Sequence, residues 1–146
     1  MTGQTQTQHA LVALRIEVTP YSYDQRMVQF TATSDTGAVA PLTVQVSDTT
    51  MTQAHDAFAA VAAHSSTAES GFAFGRGDSD RVAFEFTGYT AGRFGLRCTF
   101  AYAGAAGYNT VTLTAQVSDA SLGRLVDGFG QLQGVEEGSF DWTVAG

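Results

Sequence analysis

The sequence predicts an α+β fold: a curved antiparallel sheet of about seven strands with two helices on one face, internally duplicated as strands then helix, twice. Three observations lead there. The first is a self-match. Residues 42–58, LTVQVSDTTMTQAHDAF, align without a gap to residues 113–129, LTAQVSDASLGRLVDGF. Identities fall at Leu42/Leu113, Thr43/Thr114, Gln45/Gln116, Val46/Val117, Ser47/Ser118, Asp48/Asp119, Asp56/Asp127 and Phe58/Phe129. Upstream, IEVTPY (16–21) echoes FEFTGY (84–89), so an offset of 68 becomes one of 71 through a short loop insertion. Two copies, each with strands and one helix, make a pseudo-symmetric domain, not a solenoid. The second observation is a period of two in the apolar residues, and the third is two runs at helical spacing.

The elements follow in order. Val12, Leu14, Ile16 and Val18 share one face of a first strand, with Ala13, Arg15, Glu17 and Thr19 on the other. Pro20 and YSYDQ make a turn. Val28, Phe30 and Ala32 then point inward, with Gln29 and Thr31 outward. SDTG at 34–37 is a turn signal, and Leu42, Val44 and Val46 form the inward face of the next strand. Asp48 stands where an N-cap is expected. Met51, Ala54, Phe58, Val61 and Ala62 follow as a helical stripe.

After the linker HSSTAES comes a short strand, GFAF (71–74), and a hairpin loop, GRGDSD (75–80). Val82, Phe84 and Phe86 alternate with Ala83, Glu85 and Thr87. Phe94, Leu96, Cys98, Phe100 and Tyr102 oppose Arg97, Thr99 and Ala101. Val111, Leu113, Ala115 and Val117 lead to Asp119, again at an expected N-cap. Leu122, Leu125, Val126, Phe129 and Leu132 are the second helical stripe. The domain organisation read from this is a flexible leader (1–9), one pseudo-duplicated domain (10–134, halves 10–64 and 70–134) and an acidic, aromatic tail (135–146).

With 146 residues, the chain has the length of one domain with a core of its own. At 44% apolar and 14% charged it is globular in composition. The net charge of −7, with scattered Arg and no Lys, lacks the basic footprint of a nucleic-acid binder and suits a basic partner. The single cysteine, Cys98, excludes an internal disulfide framework. The polar MTGQTQTQHA start is not a signal peptide, and no apolar run is long enough to span a membrane. A cytoplasmic location is the expectation.

Few residues offer chemistry. His9 lies in the leader, and His55 and His64 sit on opposite sides of one helix, so neither a metal nor a cofactor is expected. Cys98 reads as a core residue between Leu96 and Phe100. The repeated acids Glu17/Glu85 and Asp56/Asp127 read as solvated positions and not as an acid–base pair. GRGDS at 75–79 reads as a turn. No catalytic residue is expected, and the chain is not read as an enzyme.

The candidates for partner binding are therefore Arg15, Glu17, Gln29, Gln45, Glu85, Arg97 and Gln116 on the outer sheet face, and Glu136, Glu137, Asp141 and Trp142 in the tail. The tail is either an acidic–aromatic docking segment or a further strand closing a sheet edge.

GFAF, VAFEF, TAGRFGLRCTF and TLTAQVSDASLGRLVDGFGQL stand in an order that resembles the WapI-type immunity proteins of bacterial polymorphic toxin systems. Gly92 and Phe94 fit the middle strand of that pattern, and Asp119, Ser121 and Leu122 fit its last strand-to-helix element. The resemblance covers about residues 42–132. It implies a small cytoplasmic non-enzyme that binds and blocks a cognate toxin domain, with no catalytic residues to carry over. The other expectation is a structural or oligomeric subunit of a phage or bacterial defence assembly. Neither reading fixes the oligomeric state.

Overall fold

The computed structural model describes residues 6–63, 70–75, 79–105 and 107–145. Among these residues nine strands and two helices run in the order β1 (Gln6–Ser22), β2 (Gln25–Ser34), β3 (Gly37–Ala38), β4 (Leu42–Ser47), α1 (Asp48–Ala62), β5 (Ser70–Phe74), β6 (Arg81–Thr90), β7 (Arg93–Gly104), β8 (Gly107–Ser118), α2 (Asp119–Leu132) and β9 (Gly138–Thr143). The fold is α+β with a curved, open, mostly antiparallel sheet, as the duplication and alternation predict.

The sheet is two four-stranded ribbons joined through β1. One ribbon runs β9–β1–β2–β4, with β3 on the far end of β2, and the other runs β5–β6–β7–β8. Every pair within a ribbon is antiparallel. The ribbons meet where Gln6–Ala10 of β1 pairs in parallel with Thr110–Thr114 of β8. Residues 6–9 of the expected leader are thus part of a strand, while residues 1–5 lie outside the described residues. The reason is long-range. A polar segment shows no alternation of its own, yet its backbone satisfies an edge that would otherwise stand unpaired.

The duplication is exact enough to place equivalent residues. Leu14 lies opposite Trp142, and Val82, 68 residues on, lies opposite Phe74. So β9 occupies in the first ribbon the place that β5 occupies in the second. The tail is therefore a strand, and Phe140 and Trp142 alternate with Ser139 and Asp141 along it.

One core unites both ribbons and both helices. Phe30 of β2 packs on Phe74 at 5.0 Å between ring centres, and Phe58 of α1 stacks on Phe129 of α2 at 4.8 Å. Such rings each bury 150–250 Å² as a rule, so this cluster dominates the apolar contribution. Gly128 lets β9 approach α2: a Cβ there would stand 2.4 Å from the Phe140 ring. Cys98 is fully buried in the core, and burial pushes its thiol well above the usual range.

Two local expectations are corrected. Val12 is 45% exposed, and Leu11 takes its place in the core. A bulge between Leu11 and Ala13 inserts one residue against β2 and flips the alternation upstream. The helix caps are Ser47 and Ser118, one residue before the aspartates. Each serine Oγ accepts from the backbone N–H three residues on, at Thr50 (3.2 Å) and Ser121 (3.1 Å). Asp48 and Asp119 fall in the first turn, where the helix dipole favours negative charge.

Candidate interaction site

On the outer face, the charged candidates of the sequence pair with one another. Arg15 Nη1 donates to both carboxylate oxygens of Asp141 across the β1–β9 pair, at 3.1 and 3.0 Å, and its Nε lies 3.8 Å from Glu17. Arg97 grips Glu85 across β7–β6 with Nε to Oε1 at 3.2 Å and Nη2 to Oε2 at 2.9 Å. Gln45 Nε2 donates to Gln25 Oε1 at 3.3 Å. Gln29 lies opposite Glu17 in the β1–β2 register and opposite Thr43 in the β2–β4 register.

A shallow dip of about 350 Å³ lies over Gly95, rimmed by Thr87, Arg97, Thr114 and Gln116. These sites belong to two ribbons and do not form one cluster: Arg15, Glu17, Gln29, Gln45 and Asp141 lie on the first, Glu85, Arg97 and Gln116 on the second. Glu136 and Glu137 are exposed in the turn between α2 and β9.

Trp142 is not a surface anchor. It is 2% exposed, and its Nε1 donates to Ser121 O at 2.8 Å. Its ring fills the core and its one polar atom is satisfied there, as a buried indole requires. The RGD of the loop (76–78) and His64 lie outside the described residues. Among the described residues no three His, Cys, Asp or Glu side chains converge to hold a metal, and no helix is long and apolar enough to cross a membrane.

What the sequence did not point to is a seam. The repeat sets α2 and β9 beside β8 as it sets α1 and β5 beside β4, which gives two seams to compare. The first is closed. Gln6–Ala10 covers part of the β8 edge, and Arg124 Nη2 on α2 donates to Thr143 O and Ala145 O, each at 3.1 Å. Ser121 Oγ adds a bond to Thr143 O at 3.2 Å. The second seam is open. Among the described residues β4 pairs only with β2, and β5 only with β6. Between them lies a groove of about 720 Å³, whose lining includes Gln25, Gln45, Thr50, Gln53, Phe72 and Asp80. Thr50 and Gln53 are the counterparts of Ser121 and Arg124, at the 71-residue offset of the repeat. A glutamine is too short and uncharged to reproduce the arginine tie. The signal was in the aligned repeats, as one of the positions at which they differ.

The helix starts also differ in what braces them. Arg26 is 6% exposed and holds Asp48 at 3.5 Å, while its Nε donates to Val135 O at 3.2 Å. Its counterpart is Phe94, since Arg26 lies opposite Val46 as Phe94 lies opposite Val117. There Tyr89 OH donates to Asp119 Oδ2 at 2.5 Å, with its ring 4.7 Å from Phe94. The Asp119 hydrogen bond, aided by burial and the carboxylate charge, raises the Tyr89 phenol above its ordinary range.

No protein-family model matches the chain, and no curated protein matches it. Its fold is similar to that of a solved structure, the plant transcriptional regulator PBF-2, at 13% identity and a TM-score of 0.47, over 86% of this chain and 77% of that one.

Proposed function

We propose that the chain is a non-enzymatic protein-binding module that neutralises a basic partner by covering its working surface. More narrowly, it is an immunity protein of a bacterial toxin system, acting in the cytoplasm. The observation that carries this reading is a charge asymmetry. Arg15, Arg26, Arg97 and Arg124 are engaged with partners inside the molecule. Asp24, Asp56, Asp127, Glu136 and Glu137 stand exposed to solvent. Among the described residues the exposed carboxylates outnumber the exposed guanidinium groups, in keeping with the net charge of −7. Such a field speeds encounter with a basic surface and disfavours acidic ones. The resemblance to WapI-type immunity proteins supports the narrower reading.

The test is capture of the tagged full chain from its native host, with mass spectrometry of what co-purifies. One stoichiometric basic partner, toxic when expressed alone and harmless beside this chain, is expected. Its association should slow as ionic strength rises, because exposed charges are screened. Recovery of nothing but further copies of the chain sinks the reading and favours an assembly subunit.

A further inference from the structure

We infer that the tip of the β1–β2 hairpin is where the partner docks, and that it takes an arginine-bearing surface of that protein onto Tyr21, Tyr23 and Asp24. This rests on the reading of the chain as a binding module for a basic protein and names the surface that does it.

The two ribbons carry hairpins at equivalent places, and they use their aromatic residues differently. In the second ribbon Tyr89 OH donates to Asp119 Oδ2, and its ring lies 4.7 Å from Phe94. Thr90 pairs with Arg93, so the turn beyond is Ala91–Gly92, both at positive φ, as a two-residue hairpin favours. In the first ribbon Tyr21 matches Tyr89 in the repeat, but Arg26 stands in the place of Phe94 and itself holds Asp48. Tyr21 is left without that ring or that carboxylate and is 59% exposed. Ser22 pairs with Gln25, so Tyr23 and Asp24 form the turn. Tyr23 is 99% exposed, and its ring adds no packing to the fold. Among the described residues neither Tyr21 nor Tyr23 makes a hydrogen bond or a ring contact through its side chain.

The tip is nonetheless held in shape. Asp48 N donates to Asp24 O at 3.3 Å, and Arg26 Nη1 donates to Gln25 O at 3.0 Å. Two exposed rings on a braced turn offer contact area at a small cost in ordering, which suits a protein-binding anchor.

The charges name the occupant. Asp24 is exposed in the turn itself. The bond from Arg26 Nε to Val135 O sets the turn that carries Glu136 and Glu137 beside the hairpin, and both are exposed. Arg26, which makes these bonds, is 6% exposed and engaged with Asp48. An incoming guanidinium meets carboxylates there and can lie on the face of a tyrosine ring, which an ammonium does less well. The tip of a second copy is the weaker occupant, since it brings the same charge.

The probe is a fluorescently labelled nona-arginine peptide, titrated onto the full chain and followed by anisotropy. The titration is run at about 0.15 M ionic strength, where a charge is felt over roughly 8 Å. Amide shifts of the isotope-labelled chain locate the peptide. Saturable binding is expected, with shifts gathered at residues 20–26 and 135–138. Tyr21→Ser combined with Tyr23→Ser keeps the net charge and removes exposed rings, so the fold should persist while affinity falls at least about tenfold. Asp127→Asn removes an exposed charge on α2, outside the tip, and should change affinity less than about twofold.

Equal weakening by Asp127→Asn, or none by the tyrosine pair, reports diffuse attraction to an acidic protein and overturns the inference. Amide shifts centred elsewhere overturn it as well. So does a dimer of the chain alone, seen by sedimentation, that the tyrosine substitutions dissolve, since the tip then serves a second copy. If the peptide misses the tip while one stoichiometric basic partner is captured by parent and tyrosine variant alike, the tip is wrong and the module reading survives. If no basic partner is captured either, both fall.

Discussion

Along the β8–β9 seam, Arg124 and Trp142 tie α2 to the last strand, and Gln6–Ala10 covers the edge of β8. Along the β4–β5 seam, Gln53 and Phe74 stand at the matching positions, and among the described residues β4 pairs with β2 alone, beside a groove. Identical residues in the repeat and divergent ones therefore do different work. Ser47/Ser118 cap helices, Phe58/Phe129 stack in the core, and Asp48/Asp119 sit in the first helical turn. Each copy needs these to fold. The divergent pairs, Gln53/Arg124 and Arg26/Phe94, decide which seam closes and how each helix start is braced. In a duplicated domain, the divergent positions are where to look for function.

The largest test breaks the closed seam. Trp142→Ala removes a fully packed indole and its Nε1 hydrogen bond to Ser121 O. A loss of about 3–5 kcal/mol is expected, chiefly from the cavity. Urea denaturation measures it. The same experiment on Phe74→Ala should cost a similar amount, because Phe74 is 0% exposed although its seam is open. A loss below about 1 kcal/mol for Trp142→Ala, the scale of a surface change, would mean that β9 is an accessory strand and the seam comparison fails.

Much of this architecture was legible in the sequence because its signals are local or repeated. Strand alternation, two helical stripes and the self-match give the α+β class and the order of elements. What was not legible depends on contacts distant in the chain. The pairing of Gln6–Ala10 with β8 joins residues about a hundred positions apart and leaves no periodic mark in QTQHA. The bulge at Val12 hides inside a good alternation, since a one-residue slip leaves apolar residues on both sides of it. Trp142 looked like a docking residue because its neighbours are acidic. The alternation of Phe140 and Trp142 with Ser139 and Asp141 was the better guide. Of the candidate site, Gln45 lines the groove, whereas Arg15, Glu17, Glu85, Arg97 and Asp141 are bound up in ion pairs.

A smaller test asks whether the repeated features are worth the same in both copies. Ser47→Ala and Ser118→Ala each remove one cap hydrogen bond and should each cost about 1 kcal/mol. Near-equal values in urea titrations would support the view that identical residues serve folding alone. A Ser47 effect near zero, beside a full Ser118 effect, would show that α1 is already frayed next to the open groove.

The smallest effect separates the two braces by pH. One brace is a guanidinium, Arg26 on Asp48, and the other is a phenol. Tyr89 holds Asp119 only while its phenol keeps its proton. Its folded-state pKa is raised, so the folded form favours the neutral phenol. That contribution is fully present below the ordinary phenol value of 10.0 and is lost as pH climbs through the raised folded value. Above it, a phenolate would face the Asp119 carboxylate. Tyr102, pushed up to about 12 mainly by burial, adds a loss of the same sign. Tyrosinate absorbance should therefore show a late component that Tyr89→Phe diminishes and Tyr102→Phe removes at its upper end. The variant Tyr89→Phe should also lose less stability than the parent as pH rises above 10.0. If the parent and Tyr89→Phe decline in parallel, the phenol is not a brace, and the start of α2 rests on its serine cap and Phe94 packing alone.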